Sequence, residues 1–164
     1  MKKLLVRVVL AGILGAVLAV GFLWLVDNKD IAARAAEPMT PEAKAAQIER
    51  GRYLAIAGDC VACHTREGGE EFAGGLPLIT PFGTIYAPNI TPDPETGIGG
   101  WRERNFIAAM RTGRHLGGGR PILPPMPWHA YKHYTDSDLK ALFAWLKAQP
   151  AVRNRVPEPV PPAR

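Results

Sequence analysis

The sequence has only two cysteines among its 164 residues, and both lie in one short stretch, AGDCVACHT, at residues 57–65. Two residues separate Cys60 from Cys63, so a disulfide between them would close too small a loop to stabilise a fold by much. The chain therefore lacks the disulfide framework that holds many small secreted domains together. The two thiols need a different explanation.

The sequence also lacks a second pair of residues with metal-ligand spacing. A zinc site would need two more ligands at such a spacing, and the remaining histidines, His115, His129 and His133, do not supply it. A thioredoxin-like redox motif needs a βαβ setting, and none is visible around the cysteines. No pair of nucleophile and base and no phosphate-binding loop is evident. The sequence thus gives no support to a separate enzymatic activity.

No internal repeat and no strong excess of charge is present in the larger part of the chain. The formal net charge is +5, but basic residues before Glu37 outnumber acidic ones by three, which leaves about +2 for the rest. A nearly balanced domain gives no support to nucleic-acid binding. The part from Glu37 onward has the length of one ordinary domain.

One long uncharged run, from Val8 to Val26, follows three basic residues. At about 1.5 Å per residue, a helix over this run nearly crosses a hydrocarbon core of roughly 30 Å. Basic residues before the run favour a cytoplasmic N-terminus. We therefore predict a cytoplasmic segment at 1–7, a transmembrane anchor at 8–26 and a linker at 27–40. The rest of the chain is predicted to lie on the far side of the membrane.

A cleaved signal peptide is the alternative to an anchor, with small residues between Ala33 and Ala36 as its cleavage site. The uncharged run is longer than the apolar region of about 7–15 residues in a usual signal peptide, and the candidate site lies well past its end. These two features favour the anchor. Either interpretation exports the remainder of the chain.

Cys60, Cys63 and His64 together form a C-x-x-C-H pattern, which is typical of haem c attachment. Two thiols on adjacent turns reach the two vinyl groups on one edge of the porphyrin, and the next residue projects an imidazole under the iron. We therefore predict one covalent haem c, with the cysteines as thioether carriers and His64 as an axial ligand. A redox disulfide and a zinc site are the alternatives.

Met126 is the best candidate for the second axial ligand, which in the His/Met pattern is a thioether well downstream of the histidine. It lies in RPILPPMPWHAY, where four prolines fix the backbone and exclude regular helix or strand. A rigid loop presenting one sulfur suits a fixed iron–sulfur distance. Met110 lies on an apolar helix face and is assigned to the core. His115 and His129 are the alternative ligands.

Two helices are predicted at the ends of the domain. Thr40 opens the first, which runs toward the cysteine motif, and Thr135 opens the last, which ends before Pro150. Gly51 is unfavourable inside the first helix by about 1 kcal/mol relative to alanine. A close crossing with the last helix, near Phe143 or Trp145, explains it.

The stretch between the cysteine motif and Trp101 is too rich in Gly and Pro for long elements. We expect its apolar residues to wrap the porphyrin and not to form a sheet. These residues include Leu78, Ile79, Phe82, Ile85 and Tyr86.

Four stretches of the chain closely resemble one haem domain of the multihaem cytochrome subunits of bacterial membrane-bound alcohol and gluconate dehydrogenases. They are GRYLAIAGDCVACHT, FAGGLPLITPFGTIYAPNITPDPETGIGGW, PPMPWHAYKHYTDSDLKALFAWL and QPAVRNRVP, and they span roughly two thirds of the chain. The resemblance implies an all-α class I cytochrome c fold, here over 41–150, followed by a Pro-rich tail at 151–164. It also implies the roles given above to Cys60, Cys63, His64 and Met126. Those subunits carry three haem domains, whereas this chain has one C-x-x-C-H, so a single haem is predicted.

The predicted function is electron transfer by a membrane-anchored cytochrome that is not itself an enzyme. It would pass single electrons from a periplasmic or membrane dehydrogenase to a cytochrome or terminal oxidase, with haem supplying the chemistry. The arginine-rich segment from Trp101 to Arg120 is either a solvated helix face and loop or a docking face for an acidic partner, formed by Arg111, Arg114 and Arg120 around the haem edge. The alternatives are an electron-entry subunit fixed in a dehydrogenase or oxidase complex, and a gas-binding haem sensor with an open iron position.

Overall fold

The structure is a computed structural model that describes residues 10, 12–26 and 38–162, in two compact units divided after Thr40. In the first unit, residues 12–26 are helical and their apolar side chains are exposed. None of the helices in the described residues combines the length and the apolar character needed to span a bilayer. The predicted segment 1–7, residues 8, 9 and 11 of the predicted anchor, and residues 27–37 with the candidate cleavage site lie outside the described residues.

The second unit is mainly helical, as predicted. Its α-helices are α1 (Pro41–Ala57), α2 (Cys60–His64), α3 (Glu103–Thr112), α4 (Trp128–Tyr131) and α5 (Asp136–Lys147). A 3-10 turn at Leu116–Gly118 and a two-stranded antiparallel hairpin, β1 (Pro77–Thr80) and β2 (Gly83–Tyr86), complete it.

The core forms where α5 packs against α1 and α3. Phe143 of α5 packs against Phe106 of α3 with 5.3 Å between ring centroids, and Met110 is buried in the same cluster, which confirms its predicted core position. The predicted start of the last helix is also confirmed, because the hydroxyl of Thr135 accepts the N–H of Asp138 at 3.1 Å. Three leucines on one face of α5 are buried: Leu139, Leu142 and Leu146.

Gly51 lies where α1 crosses α5. A Cβ atom on Gly51 would overlap the carbonyl oxygen of Ala141 and would lie 2.6 Å from Cβ of Trp145. The two helices can approach this closely only because residue 51 has no side chain. The predicted close crossing is confirmed, with Trp145 and Ala141 at the contact.

Replacing Gly51 with alanine is expected to destabilise the domain by about 2 kcal/mol. Overpacking of a core costs about 1–3 kcal/mol, at the upper end here because a backbone carbonyl cannot rotate away, and the gain in helix propensity returns about 1 kcal/mol. Urea unfolding measures the difference. Gly100→Ala is the control, since its Cβ would meet nothing closer than 3.9 Å. Equal stability of the Gly51→Ala variant and the wild type would contradict the close crossing.

Residues 77–86 form a hairpin, so the prediction that this stretch does not form a sheet is wrong. The hydroxyl of Thr80 donates to the carbonyl of Gly83 at 2.8 Å and accepts the N–H of Phe82 at 3.1 Å, which closes a tight turn. Gly83 has φ of +112°, which favours glycine. Ile79 and Phe82 near the turn are 90% and 79% exposed. The other apolar residues that were expected to wrap the porphyrin are partly buried: Leu78, Ile85 and Tyr86.

The residues that follow position 150 are bonded to the domain. The side-chain amide of Asn89 donates to the carbonyl of Val152 at 2.7 Å. Further on, Val160 and Thr84 of β2 exchange two backbone hydrogen bonds of 2.9 Å each. The predicted tail at 151–164 therefore runs along the domain over its described part, and Val160 extends the hairpin by one pairing.

Candidate functional site

Cys60, Cys63 and His64 lie together on α2, a helix of five residues. Asp59, with φ of 48° in the left-handed region, precedes α2 and redirects the chain after α1. Cys60 is half-buried and Cys63 is exposed, and the two thiols are free. One short helix therefore presents two free thiols and, directly after the second, an imidazole.

His64 is buried and its ring is fixed by a hydrogen bond from Nδ1 to the carbonyl oxygen of Pro88, at 2.8 Å. A carbonyl oxygen can only accept, so Nδ1 carries the proton. Burial lowers the pKa of His64, and the bond to Pro88 offsets part of this shift, so the ring is neutral at pH 7. Nε2 then has a free lone pair and no hydrogen-bond partner among the described residues. It is the atom available to bind a metal.

Met126 lies in an irregular loop before α4, as predicted. Its backbone N–H donates to the carbonyl of Leu123 at 3.2 Å, and its own carbonyl accepts the N–H of Trp128 at 2.9 Å. The side chain is partly buried and packs against the core. Backbone bonds on both sides of Met126 thus fix the loop that carries the thioether.

Tyr131 connects the segment after Met126 to the segment before Cys60. Its hydroxyl donates to the carbonyl of Gly58 at 3.0 Å. Burial raises the pKa of Tyr131, so the hydroxyl keeps its proton at pH 7. The sequence analysis missed this residue, because the contact joins positions 73 residues apart and leaves no periodic pattern.

The donor atoms of α2 fit a covalently bound haem. Two free thiols lie three residues apart, and the next residue offers a neutral imidazole with Nε2 unprotonated. The family model described as cytochrome c matches residues 48–150 of the chain. The chain belongs to the cytochrome c family. A cytochrome c domain carries haem c covalently, and the single C-x-x-C-H provides one attachment motif.

Three relatives of this cytochrome are named as subunits of bacterial dehydrogenases. A nicotinate dehydrogenase subunit from Pseudomonas putida is 45% identical over 152 residues, which cover 90% of this chain and 12% of the relative. The cytochrome c subunit of gluconate 2-dehydrogenase from Pantoea cypripedii is 51% identical over 104 residues, which cover 63% of this chain and 23% of the relative. The cytochrome c subunit of alcohol dehydrogenase (quinone) from Gluconacetobacter polyoxogenes is 44% identical over 106 residues, which cover 65% of this chain and 22% of the relative.

These matches confirm the predicted resemblance to cytochrome subunits of alcohol and gluconate dehydrogenases. The chain spans less than a quarter of the length of each of these three relatives. The gluconate and alcohol dehydrogenase relatives are cytochrome c subunits, which are electron-transfer components of their complexes and not the catalytic enzymes, as predicted.

The alternative axial ligands differ in exposure. His129 on α4 is exposed, whereas His115 is half-buried in the loop after α3. Burial lowers the pKa of His115, and the nearby charge of Arg120 lowers it further. The described residues contain no group of three or more His, Cys, Asp or Glu side chains arranged to hold a metal ion.

The arginines of the candidate docking face are partly engaged within the domain. Arg111 forms an ion pair with Asp136 at 2.6 Å, so its charge is largely neutralised. Arg120 lies 4.0 Å from Glu158, and both are exposed, so this pair contributes little. Arg114 is exposed and donates to a carbonyl of its own loop. Docking stays a prediction, in which Arg114 and Arg120 are now the better candidates.

Proposed function

We propose that this cytochrome is a membrane-anchored, single-haem carrier at the periplasmic face of the bacterial inner membrane. It takes single electrons from a dehydrogenase and passes them to a cytochrome or terminal oxidase. The observation that carries the proposal is α2, with its two free thiols and its buried imidazole. Haem supplies the one-electron chemistry when it is bound.

Within this proposal, the side chains of the chain hold and orient the cofactor. Cys60 and Cys63 would hold the porphyrin edge through thioethers, and His64, whose ring is fixed by the bond to Pro88, would offer Nε2 to the iron. Met126 would offer a thioether as the second iron ligand. A thioether ligand raises the reduction potential of haem iron, which suits transfer to a respiratory acceptor.

The anchor is supported by the helix at residues 12–26. Leu23, Trp24 and Leu25 face different sides of this helix, and each is more than half exposed. A helix that is apolar on all sides is stable when lipid or protein surrounds it. The uncharged run from Val8 to Val26 is long enough for a membrane span.

A dehydrogenase donor is supported by the names of the relatives, which are subunits of nicotinate, gluconate and alcohol dehydrogenases. The same names favour a second candidate function, that of an electron-entry subunit fixed in a dehydrogenase or oxidase complex. A gas-binding sensor is the weakest alternative, because it requires an open iron position, which ligation by Met126 would fill.

Carbonate-washed membranes from the native bacterium test the carrier and its anchor together. With the terminal oxidase inhibited, we expect alcohol, gluconate or nicotinate to reduce a haem c that stays in the washed membranes. Membranes from a strain without this gene are the control and should lack this haem.

In this experiment, a different result would contradict the anchor, the dehydrogenase donors and the free carrier. Haem released by the carbonate wash would show a periplasmic carrier without an anchor. Haem that is retained but not reduced by any of these substrates would contradict these dehydrogenase donors. Co-elution of the haem with dehydrogenase activity after mild solubilisation would favour the fixed subunit.

A further inference from the structure

The hydroxyl of Tyr131 joins two parts of the site that are far apart in sequence. Tyr131 ends α4, which begins two residues after Met126, and it is only 6% exposed. Its hydroxyl bonds the carbonyl of Gly58, two residues before Cys60. The bond therefore spans from the helix after the thioether to the turn before the first thiol.

The surroundings of this hydroxyl leave it little room to move. A Cβ atom on Gly58 would lie 2.7 Å from the hydroxyl oxygen, so glycine permits the approach. On its other side, the Tyr131 ring packs edge-on against Tyr134 with 5.3 Å between centroids. The backbone N–H of Trp128, at the start of α4, bonds the carbonyl of Met126 at 2.9 Å. A shift of Tyr131 would thus be passed through α4 to Met126.

We propose that Tyr131 is a positioning residue, which sets how firmly Met126 is held against the haem iron by fixing α4 to the turn before α2. The inference rests on the proposed function, in which Met126 is the distal ligand. An added ligand binds ferric haem only after it displaces Met126. Its affinity therefore reports how firmly the loop holds the sulfur.

Tyr131→Phe removes the hydroxyl and keeps the ring, so it tests the hydrogen bond. We expect the affinity of the oxidised holoprotein for imidazole to rise about fivefold, the factor that corresponds to the loss of one ordinary hydrogen bond. The near-infrared sulfur-to-iron band should persist without imidazole and should disappear at lower imidazole concentration than in the wild type.

Tyr134→Phe is the matched control, because it makes the same chemical change three residues further on. Its imidazole affinity should stay within about twofold of the wild type, even if both variants lose similar stability in urea. Gly58→Ala is a second variant at the other end of the contact, where the added Cβ displaces the hydroxyl. It should raise the imidazole affinity in the same direction as Tyr131→Phe.

Three results would overturn the proposal. The first is an imidazole affinity that is unchanged from the wild type in both Tyr131→Phe and Gly58→Ala, while replacement of Met126 still removes the near-infrared band. Met126 would then remain the ligand, and Tyr131 would have no positioning role. The second is an equal rise in Tyr131→Phe and Tyr134→Phe, which would show general loosening. The third is the absence of the band from the wild type, which would remove Met126 as ligand and the positioning role with it.

Discussion

Replacing both cysteines with alanine should abolish covalent haem, and replacing either one should sharply reduce the holoprotein. The reason is the geometry of α2, which presents the thiols of Cys60 and Cys63 one turn apart and free of each other. Each thiol supplies one thioether, so a single variant keeps one bond and the double variant keeps none. Without thioethers, haem is held only by its axial ligands and by packing.

Acid–acetone extraction distinguishes these cases. Haem should stay with the wild-type protein and with the residual holoprotein of each single variant, and it should be extracted fully from any haem-bound double variant. Wild type produced in a host without haem c maturation is the control for non-covalent binding. Free extraction of haem from wild type made in a maturing host would contradict attachment through Cys60 and Cys63.

Local patterns in the sequence predicted the parts of the fold that depend on neighbouring residues. The last helix could be predicted because its apolar residues recur on one face and Thr135 caps its start. Gly51 could be predicted as a helix crossing because glycine lowers the stability of a helix interior. A neighbouring helix that leaves no room for a side chain is a reason to have glycine there. Both inferences need only a few consecutive turns of chain.

The hairpin was missed because the stretch was considered too rich in Gly and Pro to form a sheet, and its apolar residues were assigned to the porphyrin instead. The turn is formed by the side chain of Thr80, which bonds the backbone of Gly83, and by the positive φ of Gly83. Turn-forming residues here separate two short stretches rich in β-branched and aromatic residues, which is a pattern typical of a hairpin.

Contacts between distant residues could not be predicted from local patterns. Asn89 bonds the backbone at Val152, 63 residues away, and Tyr131 bonds the backbone at Gly58. Neither contact has a periodic pattern in the sequence, because each depends on how the loops fold over the core. The sequence therefore identified the groups on α2 but not the contact that connects them to the Met126 segment.

Met126→His should lower the midpoint potential of the haem by an amount on the order of 0.1 V, within the range of roughly 0.8 V that axial ligands set. A thioether favours ferrous iron, and an imidazole removes that preference. The wild type should show the near-infrared sulfur-to-iron band in its oxidised state, and the variant should lose it. Redox titration and absorption spectra measure the two effects on the same samples.

Met110→Leu is the matched control for Met126→His. Met110 is 8% exposed and lies inside the core between α3 and α5, so its sulfur serves packing. Leucine conserves most of its volume, so the band and the potential should stay as in the wild type. Loss of the band in Met110→Leu would transfer the ligand role to the core methionine and would contradict the assignment of Met126.

A wild type without the band would leave two interpretations of the distal side, and carbon monoxide separates them. If His115 or His129 were the ligand, replacing that histidine with alanine would shift the spectrum, while Met126→Ala would not. If the position were open, the ferrous wild type would bind carbon monoxide readily, as a gas sensor requires. If the loop before α4 holds the thioether on the iron, binding should be slow or weak in the wild type and ready in Met126→Ala.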